Sequence, residues 1–420
     1  MRVAIIGAGF TGLSAGYYLA KNSADVTIFE IDTKAGGLAA GYKKESWNWP
    51  LEKHYHHLFT SDYEILSLAE NIGHKINFSR PKTSMLVNNQ IFQLDSPINL
   101  LKFPYLTLPD RVRTGIVLTY LRATPFWKPL ENTTAKYFLE KYMGENSWKI
   151  FWQPLFEGKF GELSDKIPAS WFWARIKKRS ASLGYPRGGF ESLANSIAKK
   201  LSKIHFETQV LNIKRVNNNF EIIYKNIKTG LTKKGIFDKV ISTLPFPLFL
   251  KIFPDYPSKK SLESLPQIGA INLILRLNKH FLKDDTYWLN VNEKDFPFLA
   301  VVEHTNLINK KYYNNENLIY VGKYLPQTHK YFSMTDKDLL KAYDPYLKKL
   351  NSQYLKHLIG FDVFKAPFAQ PIIPLNYSKI IPPIETPVVG LYLATIQQVY
   401  PWDRGTNYAV ELGRKVADLL

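Results

Sequence analysis

The chain has 420 residues, 45% of them hydrophobic, and no cysteine. That length and apolar content predict a sizeable core in two or three domains and exclude a disordered chain, while the missing thiols exclude disulfides, a Cys-x-x-Cys redox centre and any thiol-linked cofactor. The formal net charge of +19 fits a solvated Lys-rich surface, peripheral attraction to an anionic membrane face, or an acidic small-molecule substrate. No basic-aromatic module accompanies it, so no nucleic-acid partner is expected. No apolar stretch approaches the roughly 20 residues of a membrane span. The first apolar strand begins at residue 2, which leaves no room for a signal peptide and makes a cytoplasmic location the expectation.

In chain order, the apolar run Val3–Ile6 leads into Gly7-Ala8-Gly9-Phe10-Thr11-Gly12 and then a helical stretch. A second apolar run, Val26–Phe29, ends on Glu30, which lies 23 residues after Gly7. Strand, glycine turn, helix, strand and acid form a dinucleotide clamp. Gly7 permits the turn, Gly9 lets a pyrophosphate approach the backbone, and Gly12 lets helix and strand pack closely. The helix start offers free N–H groups to phosphate, and Glu30 can accept from a ribose diol. Phe10, Thr11 and Ile31 are carried with this motif as candidate contacts. Next come Lys34-Ala35-Gly36-Gly37-Leu38. A basic side chain there can pair with pyrophosphate, and paired glycines let backbone approach a planar ring.

A basic residue followed by x-Gly-Gly just past the acidic strand end resembles the second signature of the FAD-binding amine oxidase superfamily, which includes protoporphyrinogen oxidases, phytoene desaturases and UDP-galactopyranose mutases. The resemblance implies FAD as cofactor, with Lys34, Gly36, Gly37 and Leu38 against it. The family usually has Arg where this chain has Lys34, a point charge instead of a bidentate fork.

Residues 47–62 carry three histidines, His54, His56 and His57, among aromatic residues. The segment resembles the flavin-side stretch of these oxidases and of the sugar mutases. Anchored on Thr60 and Asp62, His56 falls on the mutases' first His; Phe59 stands at their second, and Lys53 replaces a flanking Gly. The resemblance makes His56 the candidate catalytic residue and His56 and His57 candidate flavin contacts. Metal binding is the rival for the three histidines, but no carboxylate or further His spacing completes a site, so no metal is expected.

Residues 63–75 read as an amphipathic helix and 84–95 as a hairpin turning on Asn88-Asn89. Residues 98–180 read as helical and aromatic-rich; Trp148, Trp152, Trp171 and Trp173 suit a planar or isoprenoid ligand as well as an ordinary core. Within them, Pro154-Leu155-Phe156-Glu157-Gly158-Lys159-Phe160-Gly161 resembles a run in bacterial protoporphyrinogen-oxidase-like proteins. Arg187-Gly188-Gly189-Phe190 is not a second Gly-x-Gly-x-x-Gly, so no separate NAD(P)H module is expected. The stretch 205–213 resembles the strand whose Val backbone, here Val210, meets the adenine. The stretch 238–245 resembles the buried strand that stops at the cofactor, here near Thr243. Strands are expected near 219–225, 231–236, 270–277, 299–304 and 318–321, with a helix near 336–350. At the C-terminus, 390–395, then Tyr400–Ala409, then a helix resemble the closing FAD motif. That likeness puts Asp403 by the ribityl or pyrophosphate, and the N–H groups of Gly405, Thr406 and Asn407 at the flavin N1–C2=O edge.

The resulting expectation is an α/β protein: a Rossmann-like FAD-binding domain of the glutathione-reductase/amine-oxidase type, from 1–80, 183–260 and 366–420, with a mixed α+β substrate domain from 81–182 and 261–365. The resemblance implies an FAD-dependent oxidoreductase that removes hydride from a lipid-linked, isoprenoid or sugar substrate. The alternative is a non-redox, flavin-dependent mutase of the UDP-galactopyranose type. Nothing in the sequence indicates the oligomeric state.

Overall fold

The apolar runs at the start of the chain become the centre of a parallel sheet. In the computed structural model, which describes residues 1–420, five strands pair in the order Ile204–His205, Asp25–Phe29, Arg2–Ile6, Lys239–Ser242, Leu391–Leu393, all parallel. Parallel strands are covered on both faces, so a continuous apolar run with no polar alternation is what such a strand requires. Val3 and Ile5 point to one side, among the helices Phe10–Lys21, Gly189–Ala198 and Thr406–Asp418. Ala4, Ile6 and Phe29 point to the other, where Val210, Phe220, Ile222 and Phe237 of a three-stranded antiparallel sheet and the helix Phe246–Ile252 close the core.

A second layer comes from the two insertions. Seven strands pair in the order Leu358–Pro371, Gln267–Leu277, Asn317–Leu325, Ala300–Glu303, Thr286–Val291, Lys82–Val87, Gln90–Gln93. Along Gln267–Leu277 the side chains alternate. Ile271, Leu273, Leu275 and Leu277 pack on Leu339, Tyr343 and Leu347 of the helix Asp336–Leu350. Asn272 and Ile274 face the other way, toward residues 42–59. The hairpin turns on Asn88 and Asn89 at φ 50° and 59°, the left-handed pair a two-residue turn demands.

Residues 97–178 fold into helices around an aromatic cluster. Trp148, Trp171 and Trp173 are fully buried in it with Phe156, Phe160 and Phe172. These tryptophans are core: Trp148 packs on Phe156, Trp171 on Phe156 and Phe160, and Trp173 stacks on Trp402 of the C-terminal loop. Among the elements that escaped sequence reading are the strand Thr286–Val291 and the long strand Leu358–Pro371, which runs unbroken across position 366. Lys365-Ala366-Pro367 masks the second by putting a proline in an edge strand, where no ladder N–H is needed on the outer side.

Candidate active site

Two helices aim their N-termini into one cleft. The helix Phe10–Lys21 starts at Gly9 and the helix Thr406–Asp418 at Gly405, and neither has a capping side chain. Their first N–H groups therefore remain unsatisfied and their positive ends point into the cleft. The helices are locked together: Ser14 Oγ donates to the Val410 carbonyl at 2.8 Å, and a Cβ on Gly413 would lie 2.3 Å from the Thr11 carbonyl oxygen. The cleft between them encloses about 550 Å³.

Thirteen of the expected cofactor residues line it together: Gly7, Gly9, Phe10, Thr11, Glu30, Ile31, Gly36, Gly37, Leu38, His56, Thr243, Gly405 and Thr406. Gly7 sits at φ 104°, and a side chain there would strike Thr243 Oγ1, whose hydroxyl donates to the Ile6 carbonyl at 2.8 Å. The second glycine loop closes on the first. Gly36 N–H donates to the Ala8 carbonyl at 2.9 Å, and a Cβ on Gly37 would lie 3.1 Å from the Gly9 Cα. Backbone alone forms this wall, as a flat or phosphate-bearing group requires. Glu30 accepts from Ala8 N–H at 2.7 Å and Asp32 N–H at 2.8 Å. Burial pushes its carboxyl up, against those two N–H groups, and its remaining lone pairs are free for a ribose diol.

Six expected residues lie elsewhere. Gly12 is under the cleft floor, where a Cβ would sit 2.0 Å from the Gly7 carbonyl oxygen; it serves packing. Lys34 turns away and pairs with Glu191 at 2.8 Å, while Lys53 lines the cleft in its stead, 3.7 Å from Asp32. Val210 is buried in the core beneath the three-stranded sheet. His57, Asp403 and Asn407 line a neighbouring pocket, and Asn407 Oδ1 accepts from the Glu64 and Ile65 N–H groups, capping the helix Tyr63–Asn71.

That neighbouring pocket encloses about 170 Å³ and shares His56, Arg404, Gly405 and Thr406 with the cleft. His56 stands at the junction. Its Nδ1 donates to the His54 carbonyl at 2.6 Å, so Nε2 is the free acceptor. Burial pulls His56 down to about 4 and both His54 and His57 to about 3, so all three are neutral at pH 7. The seven-stranded sheet roofs the histidines: Asn272 Nδ2 donates to His54 Nδ1 at 2.6 Å, and Tyr287 OH meets His57 Nδ1 at 3.4 Å.

Sequence reasoning missed the rest of this pocket. Lys159, Arg175, Lys178, Arg179 and Arg404 converge there, with Tyr55, Trp288 and Tyr324. The signal available was Arg175-Ile176-Lys177-Lys178-Arg179 at a helix end, which reads equally as a solvated basic terminus. Lys159 is held 3.2 Å from Asp403. Burial pulls its ammonium down to about 7 while Asp403 works to raise it. Burial alone would raise the Asp403 carboxyl, but Lys159, Arg404 and Arg175 pull it well below the ordinary range. Arg404 donates to Gln370 Oε1 at 2.8 Å and to the Tyr324 hydroxyl.

The profile of the flavin-containing amine oxidoreductase family matches residues 10–420. The chain belongs to that family, and with it to the FAD-dependent oxidoreductases; FAD is its cofactor, and the glycine-walled cleft with its two uncapped helix starts suits that group. Among relatives, the L-amino-acid oxidase of Crotalus adamanteus is 24% identical, over 68% of this chain and 59% of its own length. The coproporphyrinogen III oxidase of Staphylococcus aureus is 22% identical, over 66% and 67%. The matched part thus spans about three fifths of the snake oxidases. A provisionally named protoporphyrinogen oxidase from Exiguobacterium superposes with a TM-score of 0.78 at 17% identity, covering 100% of this chain and 98% of that one. A reduced UDP-galactopyranose mutase superposes at 0.73 with 17% identity, covering 100% and 94%. At these identities the structural likeness concerns the fold.

Proposed function

We propose that this protein oxidises a small organic molecule whose reacting carbon lies where the cleft meets the pocket, and that the FAD-binding and substrate domains follow the division drawn from the sequence except near 366, where the strand Leu358–Pro371 carries the substrate sheet past that boundary. The observation that carries it is the junction itself: His56, Arg404, Gly405 and Thr406 border both spaces. Bound FAD supplies hydride acceptance at its N5. The chain supplies position and electrostatics. The uncapped start of the helix Thr406–Asp418 would favour negative charge on a reduced flavin held against it, by roughly 0.3–2 kcal/mol. Neutral His56 offers Nε2 to a substrate O–H or N–H. The Lys159–Asp403 pair fixes the loop that carries Arg404 and Gly405. Anaerobic mixing with a true substrate bleaches the flavin in a single turnover; a flavin that stays oxidised with every substrate overturns the reading.

A second reading, a non-redox mutase, is supported by His56 at the junction. Product formed only after dithionite reduction, without net oxidation, favours it.

Peripheral association with an anionic membrane is proposed as well. It is supported by Leu108, Val112, Ile116 and Tyr120, an exposed stripe one turn apart on the helix Leu108–Ala123, beside exposed Ile98, Leu101 and Phe126. Exposed Lys102, Arg113, Arg122 and Lys128 accompany the stripe. Apolar teeth among basic side chains match the interface of an anionic bilayer. No helix is long and apolar enough to cross a membrane.

A further inference from the structure

We infer that the pocket beside the cleft is an oxyanion subsite, in which Arg175 and Arg179 grip a doubly charged phosphate or dicarboxylate portion of the substrate. The inference rests on the proposal that the reaction takes place at the junction. Both residues come from the end of the helix Ala169–Lys178, four positions apart, and both line the pocket. Residues so spaced sit about 5–6 Å apart at Cβ on one helix face.

What singles them out is that they lack partners. Arg175 lies over the Trp171 ring at 5.7 Å; Asp403 acts on both guanidiniums through space, but neither guanidinium pairs directly with a carboxylate or other acceptor. The two carboxylates on the wall are already committed. Asp403 holds Lys159 at 3.2 Å and its own loop through the Arg404 N–H at 3.0 Å. Asp62 accepts from the Phe59 N–H at 2.8 Å. Arg179 is pulled down to about 9, first by the like charge of Arg175 and then by burial. The carbonyl end of the helix eases that repulsion only in part.

Two half-buried guanidiniums facing one space are most stable together when an anion joins them. Guanidinium forks match phosphate and carboxylate oxygens bidentately. Lys178, held 4.5 Å over the Trp402 ring, adds a further cation beside them. About 170 Å³ is smaller than the roughly 300–1,000 Å³ of a site for a whole drug-sized ligand. The pocket therefore takes the charged end of a substrate, and the remainder reaches past His56 toward the flavin.

The test is calorimetric titration of the FAD-loaded protein with inorganic diphosphate, inorganic phosphate and malonate, against sodium chloride at matched ionic strength. FAD loading blocks the dinucleotide's own phosphate site. The expected result is saturable binding of at least one dianion. R175Q and R179Q should each weaken it about tenfold or more, and R175K and R179K less, because Lys keeps the charge without the fork. Preference for diphosphate or phosphate over malonate assigns a phosphate-bearing substrate; the reverse assigns a dicarboxylate. Flavin content, read by absorbance, is scored separately for every variant. FAD-loaded protein that binds none of the dianions, or FAD-loaded Gln variants that bind as tightly as the parent, overturn the inference and leave the flavin reading standing. Protein that takes up no FAD, yet binds diphosphate with the same dependence on Arg175 and Arg179, supports the subsite and overturns the flavin reading alone.

Discussion

In the proposed reading, the chemistry depends most on Glu30 and His56. Glu30 holds two backbone N–H groups as well as facing the cleft, so Glu30→Ala should weaken FAD retention by about tenfold or more, as loss of a charge-assisted contact does. Equilibrium dialysis checks this; unchanged affinity would contradict the clamp. His56→Ala should keep FAD, shift the flavin spectrum and cut turnover by about 10²-fold, the lower range for a proton-handling or polarising group. If His57→Ala produces those effects and His56→Ala does not, the role belongs to the neighbour. The buried histidines also set a pH dependence. Burial holds His54, His57 and His304 at about 3 and His56 at about 4, below the unfolded value of about 6.5. Their stabilising effect is full above about pH 6.5 and fades as pH falls toward 4, because the unfolded chain takes up the protons. Glu52, raised to about 7 by burial, Asp62, raised to about 6, and Glu30 and Glu303, also raised by burial, act in the opposite sense, but burial also lowers His74, His205 and His329, so seven histidines stand against four carboxyls. Thermal melts should show Tm falling between pH 7 and pH 4.5; a flat or rising profile would contradict the burial of these rings.

The helices Phe10–Lys21 and Thr406–Asp418 act as one element, although nearly the whole chain separates them. Gly413 lies against Thr11 and Ser14, with no room for a methyl group. Gly413→Ala should therefore cost about 1–3 kcal/mol, the usual range for overpacking, and should loosen FAD by tilting both N-termini together. A parallel loss of Tm and FAD affinity supports this; a loss of Tm alone places the two helix starts outside the cofactor site. The first of these helices was legible in the sequence because its glycine turn, strand and acid are contiguous. The second was legible only through a resemblance, since Thr406-Asn407-Tyr408 states nothing about what it faces. The substrate pocket was the least legible part. Lys159, Arg175 and Arg404 come from three distant segments, a run in the aromatic helices, a basic helix end and the loop before the last helix, and none of them alone states that it borders the same pocket. Lys34 illustrates the converse. Its position predicted a phosphate contact, but Glu191, far along the chain, offers it a closer partner.

At the scale of the whole molecule, the charge of +19 and the apolar stripe on Leu108–Ala123 belong together in the proposed membrane association. Co-sedimentation with vesicles should rise with phosphatidylserine content and fall with salt, since exposed charges are screened within about 8 Å at physiological ionic strength. Ile116→Glu, at a residue 63% exposed, should reduce it without changing FAD content. Binding that ignores both lipid charge and this substitution would leave the charge as a solvated surface. The account as a whole rests on the proposal that the cleft between the two helix starts holds the flavin, and that flavin can be read directly. Protein purified and denatured with acid should release its yellow colour into the supernatant, because the chain has no cysteine for a thioether link, and chromatography of that supernatant should give FAD and not FMN, because the first strand–helix–strand unit is built for the adenylate half. A colourless protein that cannot be reconstituted with FAD would contradict the account.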